Sequence, residues 1–120
     1  MDEKRPLAAD ERAILDWFFD EWAELALLQE AVSPEAVADV FTADDGYRTI
    51  SLAWATVPSA LPAESPFPGE AEATIEGKHF NAMLFTNTEG LMLEMIWNPE
   101  WPGRLPTRAE LRRIRTRLIE

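Results

Sequence analysis

The feature that most constrains the fold is a two-residue alternation in the middle of the chain. Between residues 48 and 56, large apolar side chains occupy every second position: Ile50, Leu52 and Trp54. The positions between them hold small side chains, namely Thr49, Ser51, Ala53 and Ala55. Because successive side chains of a β-strand point to opposite faces, this pattern predicts a strand with one face toward a core and one small face.

Three further strands are predicted downstream, at residues 72–76, 79–86 and 91–97. Residues 77–78 and 87–90 connect them and have the composition of hairpin turns, so the three strands form an antiparallel meander. In the middle strand, residues 83–85 are the consecutive apolar triplet Met-Leu-Phe. Such a run predicts a central strand that is covered on both faces.

Helices are predicted on both sides of this strand-rich region. The first spans residues 9–31, with a buried stripe at helical spacing formed by Ile14, Phe18, Trp22 and Leu25. Ser33 and Pro34 have the types favoured at the cap and first position of a helix, and they predict a short second helix that ends before Asp44. Thr107 predicts the cap of a final helix, whose stripe is Leu111, Ile114 and Leu118.

These elements predict a single α+β domain over residues 1–120. We expect an antiparallel sheet of about four strands, with the N-terminal helices and the C-terminal helix packed against it. Residues 58–69 contain four prolines and can form neither a helix nor an interior strand. They predict a long loop, which is a lid, a segment wrapped around the edge of the sheet, or a mobile excursion.

The residue types present exclude several kinds of chemistry. The chain has no cysteine and a single histidine, so disulfides, thiolate metal sites and multi-histidine metal sites are excluded. We see no nucleophile beside a base and no glycine-rich phosphate loop, and we predict no catalytic residues, no metal, no cofactor and no enzymatic activity. No stretch approaches ~20 uninterrupted apolar residues, which predicts a cytoplasmic protein without a membrane contact.

Charge is divided unevenly along the chain. Residues 1–103 hold 20 Asp and Glu against 5 Lys and Arg, near −15, while residues 104–120 hold 6 Arg against 2 Glu, near +4. A negative field of this size repels polyanions and attracts cationic partners. Nucleic acid is therefore a disfavoured partner, and a basic protein is a favoured one.

Two groups of residues are candidates for binding such a partner. Asp16, Asp20 and Glu24 are four apart on the predicted first helix and form an acidic ridge, whose alternative interpretation is an ordinary solvated face. Trp97 and Trp101 flank a proline-rich turn and are candidate interface anchors. Their alternative interpretation is a structural cap on the open end of the sheet.

The predicted final helix carries a basic flank. Arg108, Arg112 and Arg115 are spaced by four and three residues and share one side of that helix. They favour pairing with the acidic part of the chain, and an anion-binding surface is the alternative. Pairing between two copies would instead give a structural homodimer.

Three segments of the chain have a combination of residues found elsewhere: Arg5-Pro6-Leu7 with Glu11, residues 46–52 and residues 84–94. In these segments the chain resembles a loose group of small bacterial proteins of unknown function, some of which are similar to immunity proteins of toxin systems. Members of the group often have cysteines around the glycine that precedes the Thr-Ile strand, where this chain has Tyr47 and Arg48. The resemblance therefore implies no metal or thiol role, and it implies no catalytic residue.

The sequence thus predicts a non-catalytic protein-binding domain that uses an acidic surface to engage a basic protein. Immunity-like neutralisation of a toxin is the concrete form of this hypothesis. Two alternatives stay open. One is a small-molecule binding module with a pocket between the sheet and the loop at residues 58–69. The other is the structural homodimer.

Overall fold

The computed structural model describes residues 2–33 and 35–115 and consists of one seven-stranded sheet with helices on one side. Every neighbouring pair of strands is antiparallel, and the order across the sheet is β1-β2-β3-β6-β5-β4-β7. The strands are β1 (Asp2–Pro6), β2 (Val37–Thr42), β3 (Arg48–Ala53), β4 (Gly69–Ile75), β5 (Lys78–Thr86), β6 (Gly90–Asn98) and β7 (Arg112–Arg115).

The helical elements are short and lie between β1 and β2 or just before β7. They are α1 (Ala9–Glu21), α2 (Ala23–Ala26) and two 3-10 turns at Gln29–Ala31 and Arg108–Glu110. The predicted single helix over residues 9–31 is therefore interrupted. Trp22 has an extended backbone, and its ring contacts Phe18 and Phe67, so core packing at this position outweighs helical continuity.

Side chains alternate between two faces of the sheet along every long strand. On the inner face, the apolar side chains of β2 to β6 are buried with those of α1 in one core, which includes Val40, Ile50, Leu84, Leu93 and Met95. The opposite face, which we call the open face, has no fully buried side chain among the described residues of the seven strands. Only one side of the sheet is therefore covered in the described part of the chain.

The predicted fold class is wrong in its strand count and in its C-terminal helix. The structure has strands at all four predicted positions, but it adds β1, β2 and β7. The helix predicted between Ser33 and Asp44 is wrong, because Val37–Thr42 forms β2, in which Ala38 and Val40 are buried and their neighbours are not. Burial of every second residue against the sheet, together with the β-branched valines, outweighs the helix-start signal at Ser33.

The C-terminal helix is replaced by a 3-10 turn and a strand. Thr107 does begin a helical turn, and Glu110 completes its capping box, but the turn ends after three residues. The next residues pair with β4, where Arg112 lies opposite Glu72 and Ile114 opposite Glu70. Of the predicted stripe, Leu111 is buried, Ile114 is half-buried, and Leu118 lies outside the described residues.

The loop at residues 58–69 is held against the sheet rather than projecting from it. Phe67 is buried beside Trp22, and its backbone N–H donates to the carbonyl oxygen of Leu84 at 2.8 Å. The hydroxyl of Ser65 accepts a hydrogen bond from the backbone N–H of Thr86 at 3.0 Å. Gly69 begins β4 with the Trp22 ring so close that a β-carbon there would lie 2.3 Å from it.

Candidate functional site: the open face of the sheet

The predicted acidic ridge is not continuous in the structure. Asp16 is half-buried and accepts a hydrogen bond from Arg12 at 3.2 Å. Asp20 is exposed and pairs with Arg108. Glu24 is exposed on α2, beyond the interruption at Trp22. Two of the three carboxylates therefore already have cationic partners within the chain, and the partner-binding role of the three stays a prediction.

The arginines of the predicted basic helix are distributed over two elements. Arg108 lies in the 3-10 turn and pairs with Asp20, as the pairing interpretation expects. Arg112 lies in β7, and its guanidinium is 3.2 Å from a carboxylate oxygen of Glu72. Arg115 ends β7, and its side chain lies outside the described residues. The three do not form a common flank, because no helix carries them.

The two candidate tryptophan anchors pack against the protein itself. Trp97 is 7% exposed, with its ring centroid 4.9 Å from that of Phe80. Trp101 is half-buried and contacts Trp97 and Gly46, and the Arg48 guanidinium lies 5.7 Å from its ring centroid. These contacts match the alternative interpretation of a structural cap, because a buried Trp97 has little surface to offer a partner.

The inner side of the sheet contains a fully buried carboxylate, Glu11. Its two oxygens accept hydrogen bonds from both terminal nitrogens of Arg5 at 2.7 and 2.8 Å, and from Arg48 at 2.8 Å. The backbone N–H of Ala8 donates a further bond at 2.9 Å. Burial opposes ionisation, but these hydrogen bonds and the arginine charges outweigh it and hold the pKa of Glu11 below its ordinary value. The cluster joins β1, α1 and β3.

The open face has a different composition, in which apolar and acidic side chains are mixed. The larger apolar members are Val37, Phe41, Met83, Phe85, Met92, Ile96 and Ile114, and the acidic members are Asp2, Asp39, Glu70, Glu72 and Glu94. Phe41 is 38% and Ile96 39% exposed, while the methionines and Phe85 are half-buried. Exposed apolar surface of this kind, with flexible methionines, is typical of interaction sites that adapt to a partner.

A furrow runs along β3 on this face. Its floor consists of the small side chains of Thr49, Ser51 and Ala53, and its walls are β2 and β6, which pair with β3 on either side. Two adjoining concavities border this floor and share Asp39 and Ser51 in their linings. The one of about 530 Å³ extends across β2 to Asp2 and Lys4 of β1, and the one of about 590 Å³ extends toward Met92 of β6 and Ser65. We call this region the β3 furrow.

Cations pair with carboxylates at the edges of the open face but not at its centre. Lys4 of β1 pairs with Asp39, and Arg112 of β7 pairs with Glu72. In the middle of the sheet, Glu94 accepts a hydrogen bond from the neutral phenol of Tyr47 at 2.7 Å. Among the described residues no lysine or arginine forms a salt bridge with Glu94, so its charge is not neutralised from within the described chain.

The pKa of the Tyr47 phenol is changed by the neighbouring carboxylate of Glu94. The hydrogen bond to Glu94 is the main cause, followed by burial and by the negative charge, and together they raise the pKa of Tyr47 above its ordinary value. Tyr47 is the only tyrosine of the chain. Its ring is therefore a spectroscopic reporter for the open face.

The sequence showed part of this site. The alternation in residues 48–56 revealed a small face, which is the floor of the β3 furrow. The walls were missed because β2 was predicted as a helix, and because the pairing of β3 with β6 joins segments about forty residues apart, as Ile50 opposite Leu93 shows. The alternation of Val37-Ala38-Asp39-Val40-Phe41-Thr42 is the signal that could have revealed the first wall.

Comparisons with protein-family models, with curated proteins and with solved structures found no match for this chain. Among the described residues, no helix has both the length and the apolar character needed to cross a membrane. The same residues contain no group of three or more His, Asp or Glu side chains placed to hold a metal ion.

Proposed function

We propose that this chain is a non-catalytic, cytoplasmic binding domain that engages a basic protein through the open face of its sheet. Neutralisation of a basic toxin, in the manner of an immunity protein, is the concrete form of the proposal. The observation that carries it is the mixed apolar and acidic surface left uncovered by the described residues, with Glu94 unneutralised at its centre.

The apolar residues of the open face support a macromolecular partner. The consecutive residues Met83, Leu84 and Phe85 have the pattern of a strand covered on both sides, yet the described chain buries only Leu84. Removing exposed apolar surface from water is favourable by about 25 cal/mol of transfer free energy for each Å² that a partner covers. A protein that covers Met83 and Phe85 would complete the covering that the sequence pattern predicts.

Charge selects the kind of partner. The carboxylates on this face and the total charge of −11 favour a cationic surface, both in the final complex and during approach. They disfavour a homodimer formed through the open face, because a two-fold contact centred there would place Glu94 near its own copy. Like charges brought together in an interface cost several kcal/mol.

The test compares the two acidic surfaces of the molecule. One variant carries Asp39→Asn and Glu94→Gln on the open face, and a matched variant carries Asp20→Asn and Glu24→Gln on the helical side. Each tagged protein is exposed to lysate from the organism that encodes it at about 0.1 M and about 1 M salt, where the Debye length is about 10 and about 3 Å. Retained proteins are identified by mass spectrometry.

We expect the wild-type protein to retain a basic protein that is lost at high salt and lost in the open-face variant. The helical-side variant should retain it. If the open-face variant still retains the basic protein and the helical-side variant does not, binding is assigned to Asp20 and Glu24 instead. Retention that neither salt nor either variant changes contradicts an electrostatic interface.

A small-molecule role is the second candidate, and one observation favours it. The concavity of about 590 Å³ is bordered by Ser65, so the loop at residues 58–69 contributes to its rim. A ligand bound there would raise the melting temperature in proportion to the logarithm of its concentration. Stabilisation by members of a metabolite library, abolished by Ser65→Trp, would support this candidate over a protein partner.

A further inference from the structure

We infer that the β3 furrow receives an amphipathic basic α-helix of the partner, lying along β3 between the walls formed by β2 and β6. The inference rests on the proposed function and specifies the form of the partner segment. Three properties of the furrow carry it: its position inside the sheet, its dimensions and the placement of its carboxylates.

Position excludes an extended peptide as the occupant. β3 is hydrogen-bonded to β2 on one side and β6 on the other, so its backbone N–H and C=O groups are used within the sheet. An extended segment gains its affinity from a free sheet edge, where it adds a strand. On a face it would leave its own backbone groups unpaired against side chains, at a cost for each buried group. A helix satisfies those groups internally.

The dimensions allow a helix to lie over the floor. The backbones of β2 and β6 are separated by two strand spacings, about 10 Å, so one narrow stripe of a helix can pack between the wall side chains while the rest of the helix lies above them. The floor residues Thr49, Ser51 and Ala53 allow the helix axis to approach closely, whereas Phe41 and Met92 border it on the two sides. The floor from Thr49 to Ala53 is about 13 to 17 Å long, or about three helical turns.

The carboxylates define where the helix carries its charge. Asp39 lies on the β2 wall and Glu94 on the β6 wall, and Glu89 lies at the end of the second concavity. The helix therefore requires cations on both flanks of a small or apolar stripe. Lys4 pairs with Asp39 but both side chains are largely exposed, and such a surface pair contributes about 0 to 1 kcal/mol, so a cation of the partner can displace Lys4.

The experiment uses designed peptides with the full-length protein. The probe is a fluorescently labelled peptide of about 18 residues, or five turns, made of Lys, Ala and Leu with the lysines on both flanks of an Ala and Leu stripe. Its control has the same composition except for two central prolines, which prevent the helix. Binding is measured by fluorescence anisotropy, and the Tyr47 ring resonances report whether the open face is occupied.

Three protein variants localise the contact. Ser51→Lys places a cation and a long side chain on the furrow floor. Ala53→Lys does the same at an exposed floor position, and it serves if the first variant does not fold by circular dichroism. Thr74→Lys is the matched control, because Thr74 is exposed on the open face but lies on β4, away from the furrow.

We expect the helical peptide to bind about tenfold or more tightly than the proline peptide. Ser51→Lys or Ala53→Lys should weaken binding by about tenfold or more, and Thr74→Lys by less than about threefold. Equal affinity for the two peptides, equal effects of the floor and control variants, or no binding of the helical peptide would overturn the helix inference. The proposed function is overturned separately, when the Asp39→Asn and Glu94→Gln protein retains the same lysate proteins as wild type.

Discussion

Glu11 and Glu94 lie on opposite sides of the same sheet, and each is a hydrogen-bonded carboxylate with a different kind of partner. Glu11 is fully buried and contacts two arginines and a backbone N–H. Glu94 is half-exposed and accepts one hydrogen bond from the uncharged Tyr47. The inner side thus neutralises its charge within the fold, whereas the open face leaves its central charge for a partner to neutralise.

The apolar side chains of the two faces differ in the same way. On β6, Leu93 is 1% exposed on the inner side, and its neighbour Met92 is half-buried on the open face. The inner side is therefore complete within the described chain, and its residues determine the stability of the fold. The open face is incomplete, and we expect its residues to influence binding more than stability.

The largest expected effect comes from breaking the buried cluster on the inner side. Glu11→Gln removes the charge that Arg5 and Arg48 face, and it leaves Arg48 without its carboxylate while Arg5 keeps only Glu3. Removing one partner of a buried ion pair costs about 3 to 5 kcal/mol. Urea denaturation should show this loss, and Glu24→Gln on exposed α2 should change stability by less than about 0.5 kcal/mol. Equal effects of the two substitutions would contradict a structural role for the cluster.

The same carboxylate makes the fold sensitive to acid. The pKa of Glu11 is lower in the folded state than in the unfolded state. Its contribution to the free energy of unfolding is therefore present above about pH 4.3, and it is lost as pH falls through the folded pKa. The wild-type protein should therefore lose stability more steeply below about pH 4 than Glu11→Gln. Denaturation midpoints between about pH 2 and 7 measure both slopes, and parallel curves would show that Glu11 is not the group responsible.

Substitutions of two neighbouring residues on β6 compare how much the inner face and the open face contribute to stability. Leu93→Ala should cost about 3 kcal/mol, because it removes a buried side chain and leaves a cavity in the core. Met92→Ala, one residue away on the open face, should cost about 1 kcal/mol or less. Comparable losses would mean that the open face contributes to the core as much as the inner face does, and would weaken its assignment as a binding surface.

Substitutions of Trp101 and Phe41 distinguish a residue that stabilises the fold from one that binds a partner. Trp101→Ala removes contacts with Trp97, Gly46 and Arg48, and should cost about 2 kcal/mol, below the range for a fully buried aromatic residue. Phe41→Ala on the open face should cost about 1 kcal/mol or less but should weaken partner binding. If Trp101→Ala instead leaves stability unchanged and abolishes binding, the anchor interpretation of Trp101 holds.

The parts of the fold that were predicted correctly are those determined by local pattern. The alternation in β3 is visible in that segment alone, and β4, β5 and β6 are short apolar segments separated by residues with the composition of hairpin turns. β1 and β7 are four or five residues long and gain their structure from pairing with β2 and β4. A sequence pattern of period two cannot be established in so few residues, which is why both strands were missed.

The candidate site was only partly predictable for a related reason. The small side chains of Thr49, Ser51 and Ala53 were visible as one face of a strand, but a furrow requires walls, and these come from β2 and β6. Individual acidic residues were also visible, yet the pairing of Asp20 with Arg108 joins residues 88 positions apart. Spacing along a helix could not show which carboxylates are already neutralised by distant arginines.

The smallest expected change in stability comes from removing the hydrogen bond between Tyr47 and Glu94 at the centre of the open face. Tyr47→Phe removes the hydroxyl that donates to Glu94, and should cost about 1 kcal/mol, the usual net value of such a hydrogen bond. The pKa of Tyr47 is raised in the folded state. Its contribution to the free energy of unfolding is therefore fully present below about pH 10, and it is lost as pH rises through the folded pKa. The stability difference between wild type and Tyr47→Phe should therefore narrow at high pH.

The titration of Tyr47 shows whether Glu94 causes that shift. The absorbance of the only tyrosine near 295 nm should titrate above its ordinary pKa of about 10 in the wild-type protein, and closer to it in Glu94→Gln. Glu70→Gln is the control, because Glu70 is a carboxylate of the same face on β4. A partner cation beside Glu94 offsets the negative charge that opposes phenol ionisation, so the pKa of Tyr47 should fall when the designed basic peptide is bound. An unchanged titration in Glu94→Gln would remove Glu94 as the cause, and an unchanged titration with bound peptide would place the peptide away from Glu94.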